Sequence, residues 1–442
     1  MKFDPKLIKA LYNVFDPSSP LPAGDPAYVD CNDVRGEGDI LIDIGKDIFL
    51  SEEKTCQLYS GHRGAGKSTE LLRLQKDLDD KGFFVVYFAA DEQDIEPQDV
   101  EYSDILLACT RRILEALKDR GNPYPVLEWL KNLAKDLKDI IPDISLSEIT
   151  VEKDIPTFAK MTAKIHTEPT QRRRIRNLVN PHTQTLIQAL NEFIDDARKK
   201  LPEQYEDIVV ITDNLDRIVP VIYDDGRSNH EQIFLDHNEQ LKALDCHLIY
   251  TVPISLVYSG NGANLQDIYA DIPLVLPMVM VYTPDNQTYE RGLNTFKKLL
   301  QERVKLVNSN MSIVSLFENP QNLDELCLMS GGHLRNLILL MKETIKYTDT
   351  LPIQPKAVQK AISSLRNTYH ATVYANEWET LASVFLSKKI KNDDSHRKLL
   401  FNRCILEYRY LDGENNVRCW YDVHPIIRYI DDFKTALQKL KS

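Results

Sequence analysis

The chain has 442 residues, more than one ordinary core holds, so its length points to two or three domains. Apolar residues make up 43% and charged residues 27%, a globular balance that excludes a disordered or collagen-like chain. A formal net charge of −12 argues against a surface built for general nucleic-acid binding and leaves room only for a local basic patch.

Arg172-Arg173-Arg174-Ile175-Arg176 is the dense basic run, expected as a solvated helix face, with a polyanion site as the alternative. Seven cysteines are scattered, odd in number and without C-x-x-C spacing, which excludes a disulfide framework or a thiolate zinc site; they read as reduced thiols. The start, Met1-Lys2-Phe3-Asp4-Pro5, lacks an apolar signal core, and the longest apolar stretch, Leu274 to Tyr282, is too short to cross a bilayer. The expectation is a cytoplasmic protein with no membrane segment.

In chain order, residues 1–50 mix Pro, Gly and Asp with a few apolar clusters, as an N-terminal arm would. From residue 55 short apolar runs alternate with amphipathic helices, the pattern of a parallel α/β sheet. Thr55 to Ser60 is a strand leading into a glycine-rich loop. The helix that follows the loop carries Leu71, Leu74 and Leu78 at helical spacing and ends at Gly82. Phe83 to Ala90 is apolar throughout, as a central strand buried on both faces should be. Residues 101–119 form a helix striped by Ile105, Cys109, Ile113 and Leu117.

Residues 122–180 exceed any ordinary crossover and read as an insertion: a helix at 125–139, less regular sequence at 144–170, then the arginine run. A helix at 182–200 returns to the strand Ile208–Thr212, and His247 to Val252 is the next strand. Leu274 to Tyr282 is a fifth, placed at an edge or bulge by Pro277. Helices at about 287–307, 333–347 and 355–368 suggest a helical subdomain. Helices at 377–388 and 395–406, a hairpin turning at Asp412-Gly413-Glu414-Asn415 and a helix at 425–440 fit a winged-helix-like module. The expected domains are therefore an arm (1–50), an α/β core (51–285), a helical lid (286–370) and a winged-helix-like end (371–442).

The most specific motif is Gly61-His62-Arg63-Gly64-Ala65-Gly66-Lys67-Ser68, a G-x-x-x-x-G-K-S loop between a strand and a helix. Glycines let the backbone wrap a triphosphate with amides and a helix N-terminus facing the anion. Lys67 would reach the β- and γ-phosphates, Ser68 would ligate Mg²⁺, and Thr69 would cap the first turn or touch the α-phosphate. His62 is expected as a loop side chain facing out. Asp213 ends the Ile208 strand at its carboxyl edge and is the expected second Mg²⁺ ligand, against the alternative of a helix cap.

Hydrolysis wants a carboxylate to activate water. Asn214 follows Asp213, so Asn214 would position water and Asp216 would be the base. Arg217 either pairs with Asp216 or reaches a phosphate. Thr251, at the end of the His247 strand, either senses the γ-phosphate or packs as a β-former. Arg335 projects from the first turn of a helix opened by Ser330-Gly331-Gly332-His333, and either closes on the γ-phosphate or lies on the surface. His230 and His237, seven apart, read as packed or solvated rather than metal-binding. No Asn-Lys-x-Asp tetrapeptide is present, so adenine is the expected base.

The loop 61–68, the run Ile208 to Asp216, the strand ending at Thr251, Gly331-Gly332-His333-Leu334-Arg335 and the C-terminal tail together resemble the AAA+/STAND branch of P-loop ATPases (ASCE class). The likeness is greatest to the origin-recognition initiator clade and its bacterial relatives. That resemblance implies a five-stranded sheet in the order 5-1-4-3-2, a helical lid, ATP and Mg²⁺ as cofactors, and slow hydrolysis driving a switch. It makes Thr251 a first sensor and Arg335 a second. It also implies control of a partner protein or assembly, in a setting such as bacterial antiviral defence, with homo-oligomers or DNA contact through the C-terminal module as further partners. A regulator that binds nucleotide without hydrolysing it is the alternative, motivated by Asn214 standing where many members carry an acid.

Overall fold

The computed structural model describes residues 5–133, 137, 151–224 and 226–441. Five strands form the main sheet: β1 (Cys56–Gly61), β2 (Phe83–Ala89), β3 (Asp207–Asp213), β4 (His247–Val252) and β5 (Leu274–Leu276). Their order is β2-β3-β4-β1-β5, which is the expected 5-1-4-3-2 arrangement read from the other side. Parallel ladders run from Phe83↔Asp207 to Ala89↔Asp213, from Val209↔His247 to Thr212↔Tyr250, and from Cys56↔Leu248 to Ser60↔Val252. The fold is thus α/β with a parallel sheet, as the alternation of apolar runs and amphipathic helices requires.

The chain divides into two compact units: residues 40–60 with 74–274, and residues 1–39 with 61–73 and 275–442. The first carries β1 to β4. Its inner strands β3 and β4 are buried almost without interruption, which is why Ile208 to Ile211 and Leu248 to Tyr250 are apolar runs with no polar alternation. The expectation for β2 is corrected here. It is the end strand of the sheet, and its residues are buried and half-buried by turns. The half-buried Phe84 meets Tyr205 edge-on at 5.5 Å, with the Arg120 guanidinium 4.8 Å from its ring centre. An edge position so covered needs apolar residues on both faces, and periodicity alone does not distinguish it from a central one.

Helices Tyr102–Leu117 and Thr183–Arg198 pack in this unit's core, the first presenting fully buried Ile105, Cys109, Ile113 and Leu117. Within the insertion, Tyr124–Asn132, Val151–Thr167 and Pro169–Val179 are helices. The expected helix at 125–139 extends in part outside the described residues, as does the stretch 144–150. For 151–170 the expectation of irregular sequence is wrong: Phe158, Met161 and Ile165, all buried, give the second helix its spacing, which Pro156 near its start had obscured.

The arginine run is also corrected. Arg173 and Arg174 are exposed, but Arg172 and Arg176 are buried. Arg176 holds the fully buried Asp104 through Nε at 3.1 Å and Nη2 at 2.6 Å, and reaches Asp99 at 2.7 Å. Arg172 meets Asp99 at 2.7 Å and the Ile165 carbonyl at 2.6 Å. Half the run is an internal ion-pair network, not a solvated face.

The second unit is mostly helical. Helix Pro5–Val14 packs on Glu290–Val307 and on Leu334–Lys346, and the Arg303 guanidinium caps its end through the Val14 carbonyl at 2.9 Å. Helices Gln321–Met329 and Pro355–Thr372 complete a helical group, followed by Trp378–Ser387, Asp394–Phe401, the antiparallel hairpin β6 (Ile405–Leu411) and β7 (Val417–Val423), and helix Asp431–Lys441.

The stretch expected as one edge strand, Leu274 to Tyr282, is split at Pro277. Only Leu274–Leu276 belong to the sheet. Beyond the proline, Met278 donates its N–H to Glu407 of β6 (2.9 Å), Val279 to the Gly332 carbonyl (3.3 Å) and Met280 to the Val34 carbonyl (3.0 Å). Each backbone donor that the sheet does not use is taken by a different neighbour, as burial requires. Gly332, at φ +78, is a glycine by necessity: a Cβ there would sit 1.7 Å from the Val279 carbonyl oxygen.

Candidate functional site

The glycine loop belongs to the helical unit, and its shape is fixed from outside through its carbonyls. Lys67 folds back so that Nζ donates to the Gly61 carbonyl at 2.8 Å and the His62 carbonyl at 3.0 Å. His62 also accepts the Ala65 N–H at 3.1 Å. The Arg63 carbonyl lies 2.7 Å from His333 Nε2, and Gly64 accepts the Arg335 backbone N–H at 3.1 Å. Ala65 accepts from Arg35 Nη2 at 2.8 Å, and Gly66 accepts the Glu70 N–H at 3.1 Å, starting helix Lys67–Asp80. All six carbonyls from Gly61 to Gly66 are therefore occupied. The first-turn amides of a 14-residue helix follow directly, where orphan N–H groups and the helix dipole favour an anion.

The glycines serve close approach. Gly64 and Gly66 have φ +86 and +108, and a Cβ on Gly64 would stand 2.5 Å from the His333 ring. A Cβ on Gly66 would meet the Leu334 side chain at 3.0 Å. Thr69 Oγ1 accepts the Leu21 N–H at 3.1 Å, an engagement the sequence did not indicate.

His62 does not face out as expected. It is 1% exposed, and its Nε2 accepts the Glu407 N–H of β6 at 3.0 Å. The proton therefore sits on Nδ1 and the ring is neutral. Burial, with the Lys67 cation adding to it, lowers its pKa to about 3. His333 is fixed likewise: Nδ1 accepts the Asn336 N–H at 3.0 Å, capping helix Leu334–Lys346, so Nε2–H is the donor to Arg63. Burial, then the Arg403 cation, holds its pKa well below the ordinary histidine range.

The other expected residues lie in the sheet-bearing unit, at the carboxyl ends of β2, β3 and β4. Asp213 is 1% exposed; its Oδ2 accepts the Tyr87 hydroxyl at 2.8 Å and its Oδ1 the Asn214 N–H at 2.6 Å. Asn214 has φ +68, a left-handed angle that Asn tolerates better than most residues, and its amide donates to Asp91 at 2.7 Å. Arg217 pairs with the same Asp91 at 2.7 Å, so the ion-pair reading holds, with a partner other than Asp216. Asp216 is buried in the turn Leu215–Arg217. Thr251 accepts the Leu215 N–H at 2.9 Å and lies 3.4 Å from the Thr212 carbonyl, tying β4 to the segment after β3.

Of the residues with no expected role, Tyr87 and Asp91 carried a legible signal, since both stand at the end of a parallel strand where ligands gather. Arg35 and Glu407 carried none. His230 is buried with Nε2 2.8 Å from the Ile218 carbonyl, and His237 stacks on Tyr102 at 3.8 Å. Among the described residues no group of three His, Cys, Asp or Glu side chains could hold a metal on its own, and no helix is long and apolar enough to cross a membrane.

No family model and no curated protein matches the sequence. Among solved structures, Cdc6p from Pyrobaculum aerophilum is similar at 12% identity with a TM-score of 0.41, over 97% of this chain and 98% of that one. The ORC2 protein of Aeropyrum pernix, in ADPNP–ADP complexes, is similar at 12% identity and a TM-score of 0.43, over 97% and 98%. A Walker-type ATPase of Pyrococcus abyssi stands at 11% identity and a TM-score of 0.45, over 96% and 99%. Likeness at this identity and superposition assigns neither activity nor ligand.

Proposed function

We propose that the chain binds ATP with Mg²⁺ on the loop Gly61–Thr69 and works as a slowly hydrolysing switch that controls a partner protein. The observation that carries this reading is the engagement of all six loop carbonyls, Gly61 to Gly66, ahead of a helix N-terminus. The Arg63, Gly64, Ala65 and Gly66 carbonyls, held by His333, Arg335, Arg35 and Glu70, are kept from the anion, and the amides of the helix N-terminus, with a Lys67 ammonium that exchanges its two carbonyls for phosphate, meet it. Mg²⁺ characteristically takes one or two protein oxygens and completes its shell with phosphates and water. Ser68, in the first turn of helix Lys67–Asp80, is the proposed ligand from the loop.

Titration with a fluorescent ATP analogue in Mg²⁺ tests the reading. The wild type should saturate, and Lys67→Ala should weaken binding about 10- to 100-fold, the worth of hydrogen bonds to a charged group. No binding by the folded wild type, or equal binding by Lys67→Ala, refutes it.

A nucleotide-dependent regulator that barely hydrolyses is a second reading, favoured by how fully the candidate water-handling groups are engaged. The Asn214 amide is spent on Asp91, Arg217 on the same carboxylate, and the Thr251 hydroxyl on the Leu215 N–H. Phosphate release from wild type that falls at least about 100-fold in Asp216→Ala, as loss of a general base would bring, supports the switch. Release indifferent to Asp216 supports the regulator. A DNA-engaging role loses one motive, since Arg172 and Arg176 are buried and answer the carboxylates of Asp99 and Asp104.

A further inference from the structure

His62 carries two contacts that face opposite tasks. Its carbonyl accepts the Lys67 ammonium at 3.0 Å, and its buried ring accepts the Glu407 N–H of β6 at 3.0 Å. One residue thus holds both the cation expected to meet phosphate and the edge of the C-terminal hairpin. We propose that His62 is a positioning residue: it sets Lys67 through its carbonyl and ties that setting to the docking of the C-terminal hairpin through its ring. This inference rests on the nucleotide-binding reading of the loop and adds the route by which occupancy is relayed.

Glu407 is built to receive such a signal. Across the hairpin it pairs with Tyr421, while its N–H goes to His62 and its carbonyl accepts the Met278 N–H at 2.9 Å. Its side chain is wholly buried, and one carboxylate oxygen accepts from Arg409 Nε at 2.8 Å.

The lid supplies a parallel route to the same hairpin. Gly331 accepts the Tyr408 hydroxyl at 2.7 Å, and a Cβ on Gly331 would lie 2.6 Å from the Pro425 ring. Two residues on, His333 grips the Arg63 carbonyl. The hairpin therefore meets the loop directly at His62 and indirectly through His333.

A phosphate that draws Lys67 away breaks its bonds to the Gly61 and His62 carbonyls and leaves the His62 carbonyl on the Ala65 N–H alone, so the His62 backbone can shift and carry its ring. This is the difference in contacts between two states that a ligand needs in order to shift an equilibrium. Linkage makes the effect reciprocal: loosening the hairpin at Glu407 must alter nucleotide affinity.

The test uses the full chain and four forms: wild type, His62→Ala, His62→Gln and Glu407→Pro. The proline removes the outward N–H together with the Glu407 carboxylate and leaves the loop sequence intact, and Gln keeps an acceptor at the ring's place. Binding of a non-hydrolysable ATP analogue with Mg²⁺ is measured first, then amide exchange in segment 405–411 without nucleotide and at each form's own saturation. Wild-type exchange should change at least about 5-fold on saturation, the lower end of ordinary coupling. The change should vanish in His62→Ala and Glu407→Pro, return in His62→Gln, and be matched by an altered affinity in the two uncoupled forms. Nucleotide binding to wild type without a change in 405–411, or an undiminished change in His62→Ala and Glu407→Pro, overturns the proposal. Failure of the folded wild type to bind nucleotide refutes the reading of the loop itself and takes the proposal with it, and the first measurement alone reveals that case.

Discussion

Position 214 illustrates how a single backbone angle can dictate residue type at a site. After β3 the chain must turn at φ +68 to let Asp213 accept the Asn214 N–H and Thr251 accept the Leu215 N–H. A left-handed angle costs most L-residues about 1–2 kcal/mol, and a short amide side chain that bonds locally offsets part of it. The Asn214 amide does so through Asp91. Asn214→Ala should therefore destabilise the protein by about 2 kcal/mol, summing the angle and one lost hydrogen bond. Asn214→Gly should recover the part due to the angle and leave a deficit of about 1 kcal/mol. Urea unfolding of the three forms measures both. Equal losses for Ala and Gly would mean that the angle is not what selects Asn here.

Among the elements, the helix Pro169–Val179 departs from the solvated face that its charges suggest, and the physical reason is specific. Burial of Arg172 and Arg176 depends on Asp99, Glu101 and Asp104, roughly seventy residues earlier, and a charge run read alone carries no trace of a distant partner. The same holds for His62, whose partner Glu407 is 345 residues away. What was legible was local: the apolar runs of β3 and β4, the glycine loop with its flanking strand and helix, and the Asp-Gly turn of the β6–β7 hairpin. The place of Asp213 at the end of β3 was legible for the same reason. The engagement of the loop carbonyls was not, because four of their donors come from Arg35, Lys67, His333 and Arg335, in three separate stretches of chain.

The arginine network makes its own prediction. Burial raises the Asp104 pKa against the pull of Arg176, so the pair stands only while both members remain. Arg176→Ala should cost about 3–5 kcal/mol, the usual result of leaving a buried charge without its partner. Arg173→Ala, at an exposed position three residues before, should stay within about 0.5 kcal/mol of wild type. Thermal melts of the two variants separate the internal network from a solvated face, and equal small losses would contradict the network.

At the scale of the whole molecule, acid should act on the helical unit before it acts on carboxylates. His62 and His424 are held neutral with pKa values of about 3, in each case chiefly by burial; nearby cations add to it, Lys67 and Arg403 for His62, Arg403 and Arg428 for His424. His333 is lowered in the same way by burial, Arg403 and Arg335. An unfolded histidine takes up its proton near pH 6.5. Between about pH 6.5 and 3 the unfolded chain therefore binds more protons than the folded one, and stability falls as pH falls; above pH 7 these groups contribute no slope. Each adds up to about 1.4 kcal/mol per pH unit within that window. Carboxylates with lowered values, such as Asp99, Asp207 and Asp412, push in the same direction only nearer pH 4, so the interval from 6.5 to 5 belongs to the histidines. His62→Gln keeps an acceptor for the Glu407 N–H but cannot titrate. Trp129 lies in the sheet-bearing unit and Trp378 and Trp420 in the helical one, so a Trp129→Phe background lets tryptophan fluorescence follow the helical unit alone. Urea unfolding in that background at pH 7.5, 6.5 and 5.5 should show wild-type stability dropping across the lower interval. His62→Gln should lose up to about 1.4 kcal/mol less per pH unit there, with the two forms running parallel above pH 7. Parallel behaviour through the lower interval as well would mean that His62 is not buried against the hairpin in solution.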